Sequence, residues 1–85
     1  MTSEYAFAVH CSQLFKASSY VFHEVRFAQQ ALSLASDEDE MLIHWEIIIK
    51  GNTALGYYEE AVAALIAAPD KLSYVFTFTV LMILS

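Results

Sequence analysis

Positive charge is scarce in this 85-residue chain, which has four lysines and arginines against ten acidic residues and a net charge of −6. The basic residues, scattered singly along the sequence, are Lys16, Arg26, Lys50 and Lys71. Nucleic-acid binding needs clustered basic side chains that displace the counterions of the phosphates. The charge distribution therefore argues against a nucleic-acid-binding protein.

Cysteine, glycine and proline are also rare. Cys11 is the single cysteine, so the chain has no internal disulfide, and a reducing compartment is favoured. Cys11 falls on the same predicted helix face as Phe7 and Phe15, where a thiolate is disfavoured, so we interpret it as a packing residue. The two glycines make no phosphate-binding loop. The first ten residues lack the basic region that begins a secretory signal.

No catalytic or metal-binding constellation is visible. The strong metal-ligand residues other than carboxylates are His10, Cys11, His23 and His44, and no two have the paired spacing of a zinc site. We interpret His10 and His23 as surface residues and the Glu40 and His44 pair as solvated. Residues 37–40 lack the glycine and distant glutamate of an EF-hand, so they are better explained as a helix start. We predict no enzyme, no cofactor and no metal, and assign no site residue.

Apolar residues are abundant instead. They make up 58 % of the chain, and charged residues 16 %, against roughly 45–50 % and about 25 % in ordinary soluble domains. A chain of this length buries only about two-thirds of its unfolded surface. Some apolar surface is therefore expected to face a partner, a neighbouring segment or lipid.

Hydrophobic periodicity predicts four helices. The first is capped by Thr2 or Ser3 and runs to about Lys16, and the others cover about residues 20–35, 39–55 and 57–67. Breaks are expected at residues 18–19, at Ser36 and at Gly56, a left-handed helix stop. The fold class is thus all-α, with two antiparallel hairpins resembling a slice of an α-solenoid.

The third predicted helix is apolar nearly all round, so neighbours are expected on several of its sides. Ala61 is expected where the third and fourth helices approach most closely. The predicted core is Phe7, Leu14, Val25, Leu32, Trp45, Ile48, Leu55, Tyr58, Ala61 and Leu65.

The hairpin at residues 40–67 has part of the tetratricopeptide pattern. Trp45 and Ile48 fit its opening W-x2-L, and Ala61 and Leu65 fit its later A-x3-F. Asn52 stands where that repeat has a tyrosine. We interpret the pair as tetratricopeptide-like within the broader α-solenoid class, with a generic helical hairpin as the alternative.

Two stretches, residues 23–40 and 42–70, resemble the helical region of the 160/120-kilodalton scaffold nucleoporin family, from the Y-shaped outer-ring complex of the nuclear pore. The matching features are EVxFAQxAL at 24–32, the acidic break, a Trp-bearing apolar helix, and LGxYEEAxxAL-x3-PD at 55–70. With the LFKAS stretch, the resemblance covers about residues 14–70. It implies a structural scaffold segment in the nucleus, at the nuclear pore complex of the nuclear envelope. Its partners would be other outer-ring scaffold nucleoporins, and its role would be to support nucleocytoplasmic transport, including protein transport and mRNA export, by protein packing without catalysis.

Two other functions stay open: a small tetratricopeptide-like adaptor that binds a partner protein, and, in third place, a small tail-anchored membrane protein. We divide the chain into a solenoid-like segment, 1–70, and an apolar tail, 71–85, which is either a fifth helix or a C-terminus outside the family pattern. Residues 72–85 carry no charge but are short of the about 20 residues of a membrane span. We expect no small-molecule ligand, little membrane contact, and self-association through the tail, with a chain ending at Asp70 better behaved.

Overall fold

The structure, a computed structural model, describes residues 3–69. Four helices form this part of the chain: α1 (Glu4–Ala17), α2 (Val21–Leu34), α3 (Glu38–Leu55) and α4 (Tyr58–Ala67). Helix α1 packs on α2, α2 on α3, and α3 on α4. The all-α prediction of two antiparallel hairpins is confirmed, and the tetratricopeptide-like pair predicted at 40–67 is the α3–α4 hairpin. The predictions for the tail, 71–85, lie outside the described residues.

Side-chain caps determine where α1 and α3 begin. Ser3 Oγ accepts a hydrogen bond from the backbone N–H of Ala6 at 3.0 Å. The Asp37 carboxylate accepts one from the N–H of Asp39 at 3.2 Å. Each cap satisfies a donor that the first helical turn leaves without a partner. The acidic residues after Asp37 also lie at the positive end of the α3 dipole, so the acidic run is a helix start, as predicted.

Each of the two hairpin turns contains one residue in the left-handed backbone conformation. Ser19 has φ 63° and Gly56 has φ 81°, both in the left-handed region. In the first turn, the N–H of Tyr20 donates to the carbonyl of Phe15 at 2.9 Å. In the second, the N–H of Tyr57 donates to the carbonyl of Asn52, also at 2.9 Å. These long-reaching bonds satisfy the last carbonyls of α1 and α3 and reverse the chain within a few residues.

The core lies along α3, between α2 and α4. Its buried members are Val25, Ala28, Ile48, Ile49, Ala64 and Ala68, and half-buried residues that include Leu32, Trp45 and Leu65 pack around them. Gly51 lets α2 approach α3, because a Cβ added there would lie 2.2 Å from Cγ2 of Val25. A mid-helix glycine normally weakens a helix. Here it gives room to a valine of the neighbouring helix.

Most of the predicted core is confirmed. Val25, Ile48 and Ala61 are buried, and the remaining four of the seven correct positions are half-buried: Leu32, Trp45, Leu55 and Leu65. Helix α3 contacts both α2 and α4, as expected for a helix that is apolar nearly all round.

Three predicted core residues are exposed. Phe7 and Leu14 are 55 % and 53 % exposed, and Tyr58 is also exposed. The side of α1 that meets α2 is formed by small residues, Ala8 and Ser12, which are buried. Small side chains allow two helices to come close, so Phe7 and Leu14 lie on other sides of α1. The prediction was wrong because a hydrophobic stripe does not show which neighbour it meets.

Candidate interaction surfaces

A buried polar contact links the two hairpins. Tyr5 on α1 and His44 on α3 place their Oη and Nε2 atoms 3.0 Å apart, and their rings meet edge to face at 5.6 Å. His44 is only 3 % exposed. Its Nδ1 atom is buried and has no hydrogen-bond partner among residues 3–69. Helix α1 therefore reaches past α2 to α3 through one tyrosine.

The electrostatics of this contact keep His44 neutral. Burial lowers the pKa of His44, and the negative charge of Glu40 opposes that effect in part. A protonated imidazole would need an acceptor for each of its two N–H groups, but Nδ1 has none. Burial also raises the pKa of the Tyr5 hydroxyl, and the charge of Glu40 and a hydrogen bond with its side chain add to the increase.

The other histidines behave as the sequence predicts. His10 and His23 are exposed. The prediction that Glu40 and His44 form a solvated pair is wrong for His44, because Tyr5 covers it from α1. Its position on a helix that is apolar nearly all round was the available signal. Within residues 3–69, no group of three or more His, Cys, Asp or Glu residues is arranged to hold a metal ion.

Aromatic side chains gather around the turn between α1 and α2. The ring of Phe15 stacks on His23 at 4.9 Å and on Phe27 at 5.6 Å. Tyr20 meets Phe15 edge to face at 6.2 Å. Arg26 lies 5.9 Å from the ring centre of Phe22. These contacts pair rings with each other and leave Tyr20 and Phe22 largely open to solvent.

Apolar side chains also face outward at the two ends of the helix stack. On α1 the exposed residues Phe7 and Leu14 lie seven positions apart, and we call them the outer stripe of α1. On α4, Tyr58, Val62 and Ile66 follow each other at four-residue spacing, and we call them the outer stripe of α4. Ile66 is 79 % exposed. The outer stripe of α4 lines a shallow depression of about 390 Å³.

Two grooves run between the helices. One, of about 420 Å³, lies beside the first turn and is lined by residues that include Lys16, Val21, Glu24, Ile43 and Lys50. The other, of about 370 Å³, lies where α2, α3 and α4 meet, beside Trp45 and Asn52. Burial raises the pKa of the Glu24 carboxyl, and Lys16 partly opposes this. Both grooves mix apolar walls with several polar or charged side chains.

A pair of opposite charges on α3 is exposed to solvent. Glu46 and Lys50 form an ion pair of 2.8 Å between successive turns of α3, and both side chains are largely exposed. Such pairs contribute about 0.3–0.5 kcal/mol. In the part of the chain that the structure describes, the features available for recognition are thus apolar stripes and grooves, which are suited to contact with other protein surfaces. No described helix is long and apolar enough to cross a membrane.

The family model described as "Nucleoporin Nup120, HEAT repeats" matches residues 1–78, a longer range than the 14–70 found from the sequence motifs. Neither the search of curated proteins nor the search of solved structures gave a match.

Proposed function

This chain belongs to the nucleoporin Nup120 HEAT-repeat family, and from that membership we propose that it is a structural scaffold segment of the nuclear pore complex. It acts without catalysis, by packing against other protein segments. Its place is the nuclear envelope, and its partners are other scaffold nucleoporins of the outer ring. Through that architecture it supports nucleocytoplasmic transport, including the export of mRNA.

The observation that carries this proposal is the family match over residues 1–78. The arrangement of the helices supports it. Each helix contacts the next one along the chain, which is how helical repeats build extended scaffolds from short-range contacts. Large apolar side chains remain exposed at both ends of this stack. Solenoid scaffolds bury such end surfaces against a further repeat or a partner.

Affinity isolation tests the proposal. The tagged 85-residue chain is expressed in cells, and co-purifying proteins are identified by mass spectrometry. We expect outer-ring nucleoporins in the isolate and a fluorescent fusion at the nuclear rim. An unrelated single partner would instead support a helical adaptor. A folded bait that recovers neither would contradict both functions.

A double substitution tests whether the outer stripe of α1 is the surface that contacts the partner. The outer stripe of α1 is an exposed apolar surface that a neighbouring helical segment can contact. The double variant Phe7→Glu with Leu14→Glu should abolish co-purification of the nucleoporins, because carboxylates are costly to bury without partners. Gln13→Glu is the matched control, since Gln13 is exposed on the same helix outside this stripe. Circular dichroism establishes that both variants keep their helices. Equal recovery with both variants would exclude the α1 stripe as the contact surface.

A further inference from the structure

Residues 3–69 cover the outer stripe of α4 only in part, since Val62 packs against the edge of the core cluster. Helix α4 packs only on α3 within this part of the chain, through Ala61 and Ala64, which are buried. Tyr58 and Ile66 lie exposed on the outer stripe. An apolar strip of this kind on a helix normally marks a surface that another segment covers.

The chain leaves α4 next to this surface. Ala68, the residue that caps α4, is buried and belongs to the core cluster, and Pro69 is half-buried. The end of α4 is therefore held in place. After Asp70 and Lys71, the next charge-free stretch is LSYVFTFTVLMILS, residues 72–85.

We propose that residues 72–85 cover the outer stripe of α4 in the same chain. Residues 72–85 carry no charge, and the depression along the outer stripe is apolar except for Glu59. The tether raises the local concentration of the segment at α4 far above that of a second chain. A segment of this length spans about 21 Å as a helix and more when extended, against about 15 Å for ten-residue α4, so it reaches along the whole stripe.

Two further observations favour this occupant. The packing of described helices joins neighbours in sequence, apart from the side-chain contact of Tyr5 on α1 with His44 on α3, and residues 72–85 are the next neighbour of α4. The family match also continues past α4 to residue 78. From the sequence alone we expected the tail to drive self-association, but the outer stripe gives it a binding surface within its own chain. This inference does not depend on the proposed scaffold function.

Limited proteolysis of the whole 85-residue chain tests the inference. Chymotrypsin cleaves after aromatic residues, and Tyr74, Phe76 and Phe78 provide sites within the segment. We expect slow cleavage there in the unchanged chain. Ile66→Glu should release the segment and accelerate cleavage by about tenfold or more, since proteolysis follows the open population. Ile43→Glu is the matched control, because Ile43 is also exposed but lies on α3. Chymotrypsin should cleave residues 72–85 of this variant at the same rate as in the unchanged chain.

A disulfide experiment identifies which chain supplies the segment. A helical segment that runs back along α4 from Ala68 brings Val80 level with Tyr58. With Cys11→Ala to remove the native thiol, Tyr58→Cys and Val80→Cys should oxidise to a bridge within one chain, visible in non-reducing electrophoresis as a monomer whose two thiols resist alkylation. Bridges formed only between chains would overturn the inference in favour of a second copy. Equal cleavage of the unchanged chain and the Ile66→Glu variant would also overturn it, provided that circular dichroism shows intact helices in both.

Discussion

The two hairpins have similar backbones but different contacts. In the α1–α2 hairpin, Ser12 is buried and its hydroxyl donates to the carbonyl of Glu24 at 3.3 Å, while Ala8 fills the space beside it. In the α3–α4 hairpin, the contact residues on α4 are Ala61 and Ala64, which bring no polar atom. In both cases a small residue sets the distance between the helices. Close packing of this kind does not depend on whether the small residue is apolar.

The turns of the two hairpins also differ, in the residue that takes the left-handed conformation. Gly56 takes the left-handed conformation without steric cost, whereas Ser19 takes it with a Cβ, which is disfavoured by roughly 1–2 kcal/mol. Aromatic contacts surround the Ser19 turn. A Cβ added to Gly56 would meet no described residue within 4 Å. Aromatic side chains therefore surround Ser19 in its left-handed conformation, whereas the left-handed conformation of Gly56 depends on glycine having no side chain.

The largest effect is expected where the two hairpins join. Gly51→Leu places a side chain against Val25 and should lower the free energy of unfolding by about 3 kcal/mol, the upper end of overpacking costs. Chemical denaturation measures this. Ala54→Leu is the control, because Ala54 is exposed on the same helix and should change stability by no more than about 0.5 kcal/mol. Adding Val25→Ala to Gly51→Leu should restore part of the loss. Additive effects of the two changes would mean that these residues do not touch.

A smaller effect is expected inside the second hairpin. Ala61 is fully buried, so Ala61→Leu should overpack the contact between α3 and α4 at a cost of about 1–3 kcal/mol. Ala63→Leu, at an exposed position of α4, provides the comparison. The thermal midpoint of each variant distinguishes them. An unchanged midpoint for Ala61→Leu would show that α4 does not pack on α3 through this residue.

Substituting the left-handed residue of each turn tests how the two hairpin turns differ in backbone strain. Gly56→Ala should cost about 1 kcal/mol, because only backbone strain is added. Ser19→Gly should gain about 0.5 kcal/mol, since relief of strain is partly offset by the greater freedom of glycine in the unfolded chain. Urea denaturation of both variants measures the two differences. Opposite signs are the expected outcome. A loss of stability for Ser19→Gly would show that its turn is held by the hydroxyl or by the aromatic contacts around it.

Local rules were sufficient to predict where the helices lie. The cap at Thr2 or Ser3, the break at residues 18–19 and the stop at Gly56 depend on neighbouring residues. The structure has the cap at Ser3, and it has the break and the stop at the predicted positions. The buried face of α1 was harder to predict, because Phe7 and Leu14 are exposed and Ala8 and Ser12 are buried. Which face is buried depends on the partner helix, and periodicity does not identify the partner.

The interior polar contacts were missed for the same reason. His44 and Asn52 are buried, although their residue types usually favour the surface. Tyr5 lies 39 positions before His44 in sequence, so no local spacing connects the two. Family motifs identified the class of protein without fixing any of these contacts.

The smallest effect concerns the contact between Tyr5 and His44, which links the hairpins and should respond to pH. The folded pKa of His44 lies below its ordinary value of 6.5, so the unfolded chain binds more protons in the window between the two values. Stability should therefore be highest above pH 6.5 and decrease as the pH falls through that window. The ionisable groups that act on this contact are Tyr5 from α1, Glu40 from α3 itself, and Asp37, the residue that caps α3.

Denaturation midpoints of the unchanged chain and of His44→Phe, measured between pH 7.5 and about pH 5, isolate this contribution. The phenyl ring retains most of the packing and removes the titration, so the difference in stability between the two proteins should shift in favour of the variant as the pH falls. Glu24 has a raised pKa and acts in the opposite direction, but it is common to both proteins and cancels in the difference. His10→Ala, at an exposed position, should reproduce the pH profile of the unchanged chain. A difference that stays constant with pH would mean that His44 is as well solvated as the sequence alone suggested, and that the hairpins are held together by apolar packing without this polar link.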